Sequence, residues 1–178
     1  MAKATDTLVQ TLAVAVLTVS DSRDEATDTS GHYLVEALQA GGHRLAEKAI
    51  VADDIYQIRM VISRWIADSS VDAVLVTGGT GFSGRDSTPE AVRPLFDKDV
   101  EGFGEVFRAL SHQEIGSSTI QSRALAGFAN STVVFCMPGS TGACRTAWSG
   151  IIKEQLDSTH RPCNFVGVLT TVRGQQNG

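Results

Sequence analysis

The sequence predicts an α/β protein whose sheet is parallel or mostly parallel and carries helices on both faces. Three observations lead there. "LAVAVLTV" (12–19), "VDAVLVT" (71–77) and "STVVFCM" (131–137) are short, almost unbroken apolar runs, the pattern of strands buried on both faces. The segments between them repeat apolar residues at three- and four-residue spacing, the period of a helix with one buried side. Each run ends in a turn rich in Gly, Ser or Asp, and strand–helix alternation of this kind builds parallel sheets.

The elements follow in order. The first strand ends at Ser20-Asp21-Ser22, and after a polar loop Thr29 and Ser30 are placed to cap a helix. Tyr33, Leu34, Ala37 and Leu38 form its apolar stripe, and Gly41-Gly42 stops it. "HRLAEKAIVA" is a second, weaker strand that ends at Asp53-Asp54. Ile55, Ile58, Ile62, Trp65 and Ile66 predict an amphipathic helix over 54–67. The third strand enters "VLVTGGTGFSGRDSTPEA" (74–91). Thr88 is then a candidate helix cap with Pro89 at the first helical position. "EGFGEVFRALSHQEIG" is expected to break and restart around Gly102 and Gly104, and "SSTIQSRALAGF" to form another short helix. A fourth strand, "STVVFCM", runs into Pro138-Gly139-Ser140-Thr141-Gly142 and a helix carrying Ala147, Trp148, Ile151, Ile152 and Leu156. "FVGVLTTV" (165–172) reads as an edge strand. No repeat or low-complexity linker divides the chain, so it is read as one domain over 1–178.

Composition narrows the function. The net charge of −5 opposes nucleic-acid binding, which needs a basic face. No run approaches the roughly 18 apolar residues of a membrane span, and the N-terminus lacks the features of a signal peptide. Cys136, Cys144 and Cys163 form neither a disulfide framework nor a zinc motif. The four histidines show no ligand spacing. The expectation is a reduced, cytoplasmic protein.

In open α/β sheets ligands bind beyond the carboxyl ends of the strands. Here those ends carry Ser20 to Ser22, Asp53, Gly78 to Asp86, and Gly139 to Thr141. Gly79 to Gly84 matches G-x-G-x-x-G, but the helix start is displaced to Thr88-Pro89 and the acid of the dinucleotide fingerprint is missing. The same stretch has P-loop spacing, but Arg85-Asp86 stands where Lys-Ser/Thr belongs. Bare backbone amides at such a turn suit an anion, most often phosphate. Mg²⁺ takes one or two carboxylates and completes its shell with phosphate oxygens and water, so Asp53 and Asp86 are candidate ligands of a nucleotide-bound metal. The structural alternatives are a plain glycine turn, a helix-cap Asp53 and a turn-forming Asp86.

"TGGTG…RDSTPEA", "EGFGE" and "MPGSTGACRTAW" occur in that order and resemble the molybdenum-cofactor biosynthesis proteins of the MoaB/MogA type, related to the gephyrin G domain. "DTSGHYLVEAL" and "RPCNF" point to the MoaB branch, and the likeness spans about residues 10–165. The resemblance implies a three-layer α/β/α sandwich of the molybdopterin-binding-domain type and a homotrimer or homohexamer. It implies molybdopterin adenylyltransfer, in which the terminal phosphate of the pterin attacks the α-phosphate of Mg-ATP and pyrophosphate leaves. It assigns catalysis and Mg²⁺ to Asp53 and Asp86. It lines the pocket with Ser20, Gly78, Gly79, Thr80, Gly81, Gly139, Ser140 and Thr141. Where the family often has a Lys after Pro-Gly, this chain has Gly142, and the expected consequence is either weaker turnover or a shift of that load to Arg85 or Arg145. The alternative is a non-catalytic pterin- or nucleotide-binding protein of the same pathway.

Overall fold

The computed structural model describes residues 9–176. Strand β1 (Ala13–Val19) leads through α1 (Thr29–Ala40) to β2 (Arg44–Val51), and α2 (Ile55–Ala67) leads to β3 (Ala73–Thr77). The glycine-rich loop follows, then α3 (Thr88–Val92), the two-residue strand β4 (Lys98–Asp99) and α4 (Glu101–Ile115). Strands β5 (Leu125–Ala129) and β6 (Thr132–Met137) precede α5 (Thr141–Ala147). That helix runs through a π turn at Trp148–Ile152 into α6 (Lys153–Gln155), and α7 (Phe165–Gln176) closes the order.

One six-stranded sheet has the order β2-β1-β3-β6-β5-β4. β2, β1, β3 and β6 are parallel, and β5 and β4 are antiparallel additions at one edge. The alternation of side chains along a strand divides the apolar residues between two cores. Val14, Val16, Leu75, Phe135 and Met137 face one side with residues of α1, α4, α5 and α7. Ala15, Leu17, Val74, Val76 and Cys136 face the other, under Ile58, Ile62 and Trp65 of α2 and Ala91 and Val92 of α3. The three-layer arrangement with a mostly parallel sheet is therefore present.

Three expected elements are corrected. Residues 101–115 form one unbroken helix, because Phe103, Phe107 and Ser111 fall at four-residue spacing on its buried side and the packing outweighs the cost of two glycines. Gly104 is needed there: a Cβ on it would lie 2.6 Å from the Ala124 carbonyl oxygen. "SSTIQSRALAGF" is a 3-10 turn over Gly116–Gln121 followed by β5, whose pairing with β6 overrides the helical propensity of its alanines. "FVGVLTTV" is helical as α7, because both sheet edges lie elsewhere and Val166 and Leu169, one turn apart, bury against the first core.

The capping residues also move. Asp28, not Thr29 or Ser30, caps α1 by accepting from the Gly31 amide. Ser87 occupies the cap position of α3, and the Thr88 hydroxyl instead donates to the Gly78 carbonyl at 2.8 Å. Asp54 caps α2, accepting from the amides of Tyr56 and Gln57, which leaves Asp53 without the capping role. Among the described residues no helix is long and apolar enough to cross a membrane.

Candidate active site

A cavity of about 480 Å³ opens at the carboxyl ends of β1, β3 and β6, within the range of small-molecule sites. The chain turns from β1 to one neighbour, β2, and later to the other, β3. The cavity therefore sits where the strand order reverses, the usual ligand crevice of such sheets. Ser20, Asp53, Gly78, Gly79, Thr80, Gly81, Asp86, Gly139 and Ser140 all line it. Thr141 stands off it, its hydroxyl donating to that of Thr29 at 3.2 Å.

The glycine loop needs its glycines. Gly78 has φ +108°, and a Cβ there would lie 2.1 Å from the Val19 carbonyl oxygen; Gly79 has φ +64°. A Cβ on Gly79 would meet Asp53 Oδ2 at 2.7 Å, and one on Gly81 would meet Asp86 Oδ2 at 2.9 Å. The two carboxylates thus occupy the space that side chains would fill. Each is anchored by one oxygen. Asp53 Oδ1 accepts from the Ser87 amide at 3.0 Å and from its hydroxyl at 2.5 Å. Asp86 Oδ2 accepts from the Ser83 amide at 2.7 Å. The amides of Gly79, Thr80 and Gly81 donate to no acceptor among the described residues, which leaves them for an anion.

The cations are distributed differently from the expectation. Arg85 lines the cavity but is paired with Asp21, Nε to Oδ2 at 2.8 Å. Asp21 also accepts from the Asp53 amide at 3.1 Å, so it ties the loop after β1 to both others. Arg23 is the second cation on the wall. Arg145 lies over the Tyr33 ring, 5.5 Å from its centroid, away from the cavity. Gly142 has open space around its Cα and is not part of the wall either.

Sequence reasoning missed the far wall, built by Phe107, Ser111 and Ile115 of α4 and by Ser118, Thr119, Gln121 and Ser122 after it. A run of hydroxyls after a helix, "GSSTIQS", was the available signal, but nothing local aims it at the glycine loop. It also missed Arg123. The Arg123 amide donates to the Thr80 carbonyl at 2.9 Å, its Nε to the Gly81 carbonyl at 2.8 Å and its Nη2 to the Asp86 carbonyl at 2.9 Å. Its Nη1 pairs with Glu90, and its guanidinium lies 5.2 Å from the centroid of Phe82.

Behind the first strand end, Asp28 is buried and accepts from Thr18 Oγ1 at 2.8 Å and from Lys48 Nζ at 2.9 Å. Burial pushes its carboxyl up. The Lys48 ammonium, the Gly31 amide and the Thr18 hydroxyl together outweigh that and hold it below its usual 3.8. Burial pulls Lys48 down, while Glu25 and Asp28 more than restore it, so its pKa ends raised.

Comparison with known proteins agrees with this fold. Residues 15–158 match the family model of the probable molybdopterin binding domain. The chain is 60% identical over 152 residues to molybdenum cofactor biosynthesis protein B of Escherichia coli (strain K12), covering 85% of this chain and 89% of that one. It is 45% identical over 142 residues to the protein of the same name from Bacillus subtilis (strain 168), with 79% and 84% covered. A crystal structure of a molybdenum cofactor biosynthesis protein B superposes with a TM-score of 0.84 at 40% identity, covering 93% of this chain and 98% of the other. With the fold, the glycine loop and these relatives in agreement, the chain belongs to the molybdenum cofactor biosynthesis protein B family.

Proposed function

We propose that this protein serves molybdenum cofactor biosynthesis by binding molybdopterin and transferring AMP to its terminal phosphate from Mg-ATP. The reading rests on one observation above all. Asp53 and Asp86, from separate loops, lie against Gly79 and Gly81 of one glycine loop on one cavity wall. The names of the relatives and the description of the matching family model supply the pathway and the pterin.

The donor set suits Mg²⁺. Among the described residues no three His, Cys, Asp or Glu side chains are grouped to enclose a metal. Two carboxylates, each with one oxygen not spent on an amide, match an ion that draws its remaining ligands from phosphate and water. Asp53 and Asp86 would hold it, and when bound it would offset the charge of two phosphate groups brought together. The chain's own groups do the positioning. The amides of Gly79 to Gly81 would receive phosphate oxygens, and Ser20 and Ser140 border the opposite strand ends. In the reaction a phosphate oxygen of the pterin bonds to the α-phosphorus of ATP. The bond from that phosphorus to the bridging oxygen breaks, and pyrophosphate carries away the electron pair. Such transfer needs chiefly alignment and charge neutralisation.

A second reading, a protein that binds pterin or nucleotide without catalysis, is favoured by the cations. Among the described residues no lysine lines the cavity, and Arg85 is engaged by Asp21. Incubation with molybdopterin and MgATP separates the two: pyrophosphate release supports transfer, and ligand binding without release supports the second. A closed oligomer, trimer or hexamer, is part of the same proposal. Tyr56, Met60, Val106 and Ile120 present apolar surface to solvent that such an assembly would cover, whereas Phe103 and Phe107, beside Val106 in "FGEVF", are buried.

A further inference from the structure

We propose that Arg123 is a positioning residue that holds both carboxylates of the site in place from behind the glycine loop. Arg123 is absent from the cavity wall, so it does not touch a ligand there. Its guanidinium instead spans two carbonyls of the loop, those of Gly81 and Asp86, and its third nitrogen pairs with Glu90. In a trans peptide the C=O and the following N–H point in opposite directions. Holding the Asp86 carbonyl toward Arg123 therefore turns the Ser87 amide the other way, where it donates to Asp53 Oδ1 at 3.0 Å. The same contact fixes the backbone from which the Asp86 side chain leaves. One guanidinium thus orients the peptide that carries one acid and anchors the other. Stacking on Phe82, whose side chain is otherwise exposed, completes the brace.

The geometry requires arginine. A planar fork reaches two carbonyls and a carboxylate at once, whereas a lysine ammonium is a point donor on a flexible stem. Arg123→Lys keeps the charge beside Glu90 but cannot span the loop. The backbone amide of residue 123 still donates to the Thr80 carbonyl in either variant, so the loop remains attached at that point.

The inference rests on the phosphate-loop reading above, and its test separates the two. Hydrogen exchange by mass spectrometry and MgATP affinity are measured on wild type, Arg123→Lys and Arg123→Ala. The expected result is faster exchange confined to peptides covering 79–88 in both variants. MgATP affinity should fall roughly ten-fold or more, as for the loss of hydrogen bonds from a charged donor. Millimolar methylguanidinium should restore part of the affinity in Arg123→Ala and none in Arg123→Lys. Unchanged loop exchange, or faster exchange spread through the sheet, overturns the inference, and so does wild-type affinity in both variants. If wild type itself does not bind MgATP, the nucleotide reading fails, and the exchange pattern alone then decides the role of Arg123.

Discussion

Asp53 and Asp86 hold their positions through hydrogen bonds that an amide side chain could also accept, so charge can be removed without dismantling the loop. Asp86→Asn is expected to lower the adenylylation rate roughly a hundred- to a thousand-fold, the scale of losing one electrostatic contribution in a closed site. Asp53→Asn should do the same. Molybdopterin affinity, measured on the same folded variants, should hold in both; equal rates in wild type and Asp86→Asn would remove Asp86 from the mechanism. The glycines divide by what a Cβ would strike. Gly81→Val should leave the fold intact and abolish MgATP binding, because its Cβ displaces the Asp86 carboxylate. Gly78→Ala should destabilise the whole protein by at least about 2 kcal/mol in urea unfolding, because the obstacle is the Val19 backbone and φ is positive. In the sequence Asp53 was a candidate metal ligand or, alternatively, the cap of the following helix. Only the structure separates the acid that caps the helix from the acid that faces the cavity.

That division gives a prediction for α2. Asp54→Ala removes both side-chain bonds at its start and should cost about 1 kcal/mol of stability, with MgATP affinity unchanged. A loss of affinity instead would mean that the cap positions Asp53. The link between α1 and the sheet carries a pH dependence. Asp28 titrates below its ordinary 3.8 in the folded protein, so its contribution is present above that value and is lost as pH falls through the folded pKa. Asp28→Asn should therefore destabilise by about 2–3 kcal/mol near pH 7, where it leaves Lys48 short of a buried partner. The gap to wild type should narrow as urea unfolding is carried below about pH 4. A gap constant with pH would show that the carboxylate charge is not what matters. At this scale the sequence served well for β1, β3 and β6, whose apolar runs are unbroken, for α1 and α2, whose apolar period is clear, and for the weaker β2. It misjudged α4, β5 and α7, where long-range packing outweighs local propensity: Gly104 sits under Ala124, and Gly127 lies under the Phe96 ring.

For the molecule as a whole, the proposed closed oligomer predicts a solution mass of three or six times the 18.9 kDa chain. Light scattering at micromolar concentration checks it, and a monomer would refute it. The strand ends that line the cavity, those of β1, β3 and β6, lie together in one chain. Ligand binding per chain should accordingly show one site, measurable by equilibrium dialysis with MgATP.

Local pattern and resemblance alone gave the α/β class and the strand ends that bear acids and glycines, and nine of the ten residues they single out line the cavity, all but Thr141. These are legible because apolar period, turn chemistry and motif order are local. The tertiary structure decided the rest. It brought Ser111 to Ser122 to the opposite wall, set Arg123 behind the loop, paired Arg85 with Asp21 and moved Thr141 off the cavity. Each of these depends on which residues distant in the chain meet. That is fixed by strand order and by the burial of two apolar cores against one sheet, and no window of sequence contains it.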